Sequence, residues 1–94
     1  MAKILDAQTT NTTTSGTTFT GKVVVYATGV FDGALAQVQI APTDTAAEYE
    51  PIDGGAADFN KPGQIVIGAE GAYYLRAIQS DSGTKTEITI NVVQ

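Results

Sequence analysis

The sequence predicts an all-β fold, an antiparallel sandwich of about seven short strands with an extended arm in front of it. Three observations carry this. Apolar and polar residues alternate in several short runs, most clearly over 86–93, where Ile88, Ile90 and Val92 share one side and Glu87, Thr89 and Asn91 the other. Gly, Pro, Asp and Asn separate the runs at intervals of about 8–12 residues, the spacing of sandwich turns. No stretch repeats apolar residues at helical spacing over a useful length, and the best candidate, 43–50, is short and runs into Pro51.

Taken in order, residues 1–20 predict an arm and residues 21–94 the sandwich domain. The arm holds one apolar pair, Ile4-Leu5, and a Thr-rich tract over 8–18 that has nothing to build a core with. Its leading reading is a flexible tail. A second reading lays it across a neighbouring subunit as an added strand anchored by Ile4 and Leu5, and a third makes it an edge strand of its own domain. Residues 19–28 form the first firm strand, with Val23, Val25 and Ala27 on one face and Val24, Tyr26 and Thr28 on the other; both faces are fairly apolar, as suits a central strand. Asp32-Gly33 has the chemistry of a tight hairpin turn into a second strand over 34–41.

Residues 47–52 form a short strand that Pro51 confines to an edge. Asp53-Gly54-Gly55 turns the chain, 56–59 carries Phe59 inward, and Asn60-Lys61-Pro62-Gly63 turns it again. Strand 64–67 is closed by Gly68 and Gly71. Last come 72–79 and 86–93, which read as an antiparallel hairpin joined by the polar loop 80–85. Within it Leu75 and Ala77 are expected in the core, while Tyr74, Arg76 and Ile78 face another chain. The architecture expected from this list is immunoglobulin-like or jelly-roll-like.

Composition narrows function. A chain of 94 residues is one domain with a small core. Five basic residues against ten acidic ones leave a net charge of −5, which argues against nucleic acid and against an anionic membrane surface as partners. Cysteine and histidine are both absent, so disulfides, thiolate metal sites and the commonest general base are missing. No apolar run reaches the ~20 residues that span a bilayer. The first residues have no signal-peptide pattern, which predicts synthesis and folding in a cytoplasm.

The remaining chemistry is sparse. Glu48 with Glu50, or Asp53 with Asp58, are the carboxylate pairs that a glycoside hydrolase would need, and they read more simply as solvated surface. Asp32, Asp44 and the 53–58 loop offer oxygens for Ca²⁺ without any EF-hand pattern. Ser82 and Lys85 share a loop and read as solvated. Tyr73 and Tyr74 are adjacent on a strand, so at most one enters the core. Exposed tyrosines also suit a carbohydrate platform. The residues therefore predict no enzyme, no cofactor and no metal site.

From Gly21 onward the chain resembles a group of small all-β proteins of tailed-bacteriophage virions: head decoration, cement and head-fibre proteins. The likeness rests on the alternating strand 34–40 followed by a polar loop and Tyr49, on the Gly-closed strand 64–68, and on Leu75-Arg76-Ala77-Ile78 followed by a Ser/Gly loop and a terminal alternating strand. Where the pattern has an Asp-Gly-Gly-Thr-Trp-like turn, this chain has Asp44-Thr45-Ala46-Ala47-Glu48-Tyr49. The resemblance implies a virion protein on the capsid surface that binds the major capsid protein, bridges capsomers and forms a homo-oligomer, a trimer above all. Ile4, Leu5, Tyr74, Arg76 and Ile78 are then the candidate contact residues, with Arg76 expected to take a carboxylate or carbonyl partner. The alternative is a carbohydrate- or receptor-binding module of a fibre or tail.

Overall fold

The computed structural model describes residues 2–68 and 70–94. Two antiparallel sheets pack face to face, and the described residues contain ten strands and no α-helix. The strands are β1 (Ala2–Gln8), β2 (Thr12–Thr13), β3 (Thr17–Thr20), β4 (Val23–Val30), β5 (Leu35–Ala41), β6 (Glu50–Pro51), β7 (Asp58–Phe59), β8 (Gly63–Ile67), β9 (Ala72–Ser80) and β10 (Glu87–Val93). Single 3-10 turns occupy Ala46–Glu48 and Ile52–Gly54. The first sheet has the order β1-β10-β4-β8. The second is four strands wide although six contribute: β2 and β3 share one edge beside β9, and β6 and β7 share the other beside β5.

Alternation built the core as expected. Val23, Val25, Leu75, Ile88, Ile90 and Val92 are fully buried between the sheets. Tyr73 is inside and Tyr74 outside, and Phe59 points in from its edge. At one end of the core the buried polar residues Gln79 and Thr86 replace aliphatic ones.

Connectivity departs from expectation in two places. Loop 80–85 does not close a hairpin: β9 lies in the second sheet beside β5, and β10 lies in the first between β1 and β4. Asp32-Gly33 does not close one either. Both residues have positive φ and Ala34 N donates to Phe31 O at 2.9 Å, as in a tight turn, yet β4 and β5 belong to different sheets. The reason is occupancy. Both hydrogen-bonding sides of β4 are taken, by β10 and by β8. Phe31 and Ala34 turn inward and are buried, so the loop arches over the end of the core. The segment 9–11, from β1 to β2, crosses between sheets at this same end.

The arches are tied together. Thr86 Oγ1 donates to Phe31 O at 2.8 Å, and Lys85 N donates to Asp32 Oδ2 at 3.0 Å. Ser82 N donates to Asn11 Oδ1 at 3.0 Å, and Gln79 Nε2 donates to Gln8 O at 3.1 Å. The Thr86 and Gln79 bonds satisfy groups at a partly dry end of the sandwich, while the other two are exposed.

The expected extended arm is not present: residues 2–20 are edge strands of both sheets. β1 pairs with β10, and a register shift between Lys3 and Leu5 sets two residues against one. That bulge explains how the neighbours Ile4 and Leu5 are both buried, where a regular strand would send one of them outward. The Thr tract supplies β2 and β3 along β9, with Thr14 bridging the gap: its N–H donates to Ala77 O, and its Oγ1 accepts from Ala77 N, each at 2.9 Å. Threonine suits this place because it tolerates an extended backbone while its hydroxyl repairs breaks in the ladder.

Candidate interaction surface

With the inward side chains committed to the core, the outer faces of the two sheets carry what is left. On the second sheet, Tyr74, Arg76 and Ile78 of β9 point outward and are half-buried. The loop after β5 lies over part of this face. Tyr49, at the end of its 3-10 turn, places its ring under the Arg76 guanidinium, 4.3 Å from Cζ to centroid. The Tyr49 hydroxyl donates to Asp44 Oδ1 at 2.8 Å. Arg76 Nε donates to Gln39 Oε1 at 2.8 Å, and Gln39 Nε2 donates to Gln37 Oε1 at 2.7 Å. Gln39 is only 8% exposed although it faces away from the core, so the loop is a lid on this part of the sheet.

Burial first, and then the Asp44 contact, push the Tyr49 hydroxyl up to about 12, against the pull of Arg76. Of the two partners expected for Arg76, a carboxylate or a carbonyl, it takes a carbonyl, that of the Gln39 side chain, and adds the Tyr49 ring. Gly16, between β2 and β3, is where this lid, a strap across the sheet, ends: a Cβ there would overlap the Tyr49 hydroxyl and the Asp44 carboxylate.

On the first sheet nothing comparable among the described residues covers the outer face. Register places Val93 of β10, Val24 of β4 and Val66 of β8 in one cross-strand row. The next row holds Asn91, Tyr26 and Gln64. Val66 is 55% exposed, Tyr26 37%, and Val30, further along β4, 53%. β-Branched side chains in register favour the sheet itself, but such exposure on a small domain leaves apolar area for a partner.

The residues expected from the sequence are thus distributed between inside and outside. Ile4 and Leu5 lie in the core of their own chain. Tyr74, Arg76 and Ile78 are together on the second sheet's outer face, partly under the lid. The valine row on the first sheet had a signal in the adjacent apolar residues 23–25, 65–67 and 92–93, which leave one member of each group facing out.

The acidic candidates serve the loops. Asp32 and Asp44 accept the hydrogen bonds already described, from Lys85 N and the Tyr49 hydroxyl. Glu48, Glu50 and Glu70 line a hollow of about 400 Å³ at the end away from the arches. Among the described residues no three acidic groups converge as a metal site would require. Between the first and last arches, Thr9, Thr10, Asn11, Ser82 and Thr84 line an open hollow of about 410 Å³. Comparison with family models, with curated proteins and with solved structures gives no match.

Proposed function

We propose that this chain is a structural protein of a tailed-bacteriophage virion, a decoration or cement protein that sits on the outside of the head and bridges capsomers. The observation that carries the reading is the uncovered row Val93-Val24-Val66 with Tyr26 beside it, on a domain whose core is already filled. Its occupant would be the major capsid protein. The order of strands supports a jelly-roll assignment. Counting β2/β3 and β6/β7 as one position each, the chain alternates between sheets except at the step from β5 to β6/β7, and the sheets read first-eighth-third-sixth and second-seventh-fourth-fifth. Two interlocked Greek keys produce that order, and the architecture is used in viral shells and in lectins.

The hollow between the arches favours a second reading, a carbohydrate- or receptor-binding module, because its uncharged lining combines hydroxyl and amide groups with apolar area, as suits a neutral sugar.

Co-sedimentation with purified heads decides between them. The wild-type chain is expected to pellet with heads at saturable stoichiometry, and Tyr26→Glu to lose that binding with an unchanged melting curve. Binding that survives Tyr26→Glu but is competed by a soluble glycan would replace the first reading with the second.

A further inference from the structure

We propose that two copies of this chain pair through the free edge of β8, antiparallel about Val66, and join their first sheets into one continuous eight-stranded sheet. This goes beyond the virion reading and does not depend on it.

Sheet edges are where the inference starts. An edge strand offers unpaired N–H and C=O groups, and soluble domains blunt such edges with charge, proline, bulges or brevity. Three of the four edges here are blunted. β1 carries Lys3 and Asp6 and has two register shifts. β2 and β3 are short and interrupted at Ser15-Gly16. β6 and β7 have two residues each, one of them Pro51. β8 has none of these devices. Its five residues, Gly63-Gln64-Ile65-Val66-Ile67, are uncharged, and they pair with β4 alone in unbroken register. Gly63 and Gly68 are exposed, and a glycine can expose only backbone.

The occupant follows from self-complementarity. In an antiparallel strand, residues of one parity share both the face they present and the side to which their backbone groups point. A twofold axis through Val66 pairs Val66 with its copy, Ile65 with Ile67, and Gln64 with Gly68. Like parity then meets like parity throughout, so outer face continues into outer face and free donors meet free acceptors. The valine row Val93-Val24-Val66 runs on into the same row of the second copy. Lys61 lies just before β8 and Glu70 after it, so antiparallel pairing brings the cation of one copy to the end that carries the anion of the other, and both residues are exposed. The edge itself is uncharged, while Glu50 and Asp53 share a hollow with Val66, Ile67 and Gly68 beside it, so in a chain of net charge −5 the pairing should tighten as salt is added. Such a contact is isologous and closes at two copies; a ring of three would need a different, heterologous surface.

The test uses the full chain. Light scattering after size exclusion should give about twice the 9.7 kDa of one chain, and Val66→Lys should return it to one. Because the chain has no cysteine, single cysteines report without background. Val66→Cys should form a disulfide-linked dimer about tenfold or more faster than Val30→Cys, which is equally exposed on the same face, since pairing raises the effective thiol concentration. The cysteine comparison stands even where Val66→Lys fails to fold. A single-chain mass at the highest soluble concentration, a trimer mass, an oligomer unaffected by Val66→Lys, or equal cross-linking at the two cysteines would each overturn the proposal.

Discussion

Thr86→Val tests the clasp between the arches. The substitution keeps the shape of the side chain and removes its hydroxyl. Thr86 is 2% exposed; its Oγ1 donates to Phe31 O at 2.8 Å and accepts from Gly83 N at 2.8 Å. Valine leaves both groups without that partner. A typical intramolecular hydrogen bond contributes about 0.5–1.5 kcal/mol. Gly83 is half-buried, so its amide can turn to water, and the Phe31 carbonyl keeps the hydrogen bond from Ala34 N at 2.9 Å. The expected loss is therefore roughly 2 kcal/mol, about 1 kcal/mol for each of the two hydrogen bonds removed. For a domain of this size that lowers Tm by about 8–16 °C. Thr86→Ser keeps the oxygen and loses one buried methyl, about 0.8 kcal/mol. Thermal and denaturant unfolding of the three proteins, followed by circular dichroism, measures both. A Thr86→Val protein within about 0.5 kcal/mol of wild type, or a serine variant as damaged as the valine one, would refute the clasp.

Further outcomes follow from the other contacts. Leu5→Ala should cost about 2–5 kcal/mol in denaturant unfolding, the loss typical of a core leucine and not of an arm; a change under ~0.5 kcal/mol would restore the arm reading. Gly16→Ala should push Tyr49 and Asp44 off the second sheet and lower stability by roughly 1–2 kcal/mol, and Gly16→Ala combined with Tyr49→Ala should cost little more than Tyr49→Ala alone. An unaltered Gly16→Ala melt would show that the strap does not reach that far. Tyr49 holds its proton more tightly folded than unfolded, so its contribution is complete below about pH 10 and disappears as pH rises through about 12. Unfolding midpoints measured across that window should fall less steeply for Tyr49→Phe, and equal slopes would contradict the burial of this hydroxyl.

The candidate contact residues illustrate how far side-chain pattern reaches. Tyr74, Arg76 and Ile78 follow from alternation along β9, and all three do point away from the core. The lid over Arg76 does not follow from it. Tyr49 lies in a loop between other strands, and its position depends on a glycine, Gly16, in a stretch that reads locally as flexible. Ile4 and Leu5 mislead for a similar reason. An alternating strand buries only one of two adjacent apolar residues, and a bulge opposite β10 lets this one bury both.

By itself the sequence determined the local state of the chain: extended runs, their inward faces, and the turns between them. Period-two alternation acts over a few residues and needs no partner to be read. Tertiary structure decided which strand lies beside which. An alternating strand presents the same buried face whether its successor folds back alongside it or crosses to the opposite sheet, and Asp32-Gly33 or 80–85 can serve either connection. The choice fell to arches because β4 and β10 pair with each other, as do β5 and β9, leaving the ends of both connections in different layers. The arm became part of the fold on the same terms. Without Ile4, Leu5 and the threonines of β2 and β3, the outer sides of β10 and β9 would be unpaired, and a chain of 94 residues has little else with which to cover them.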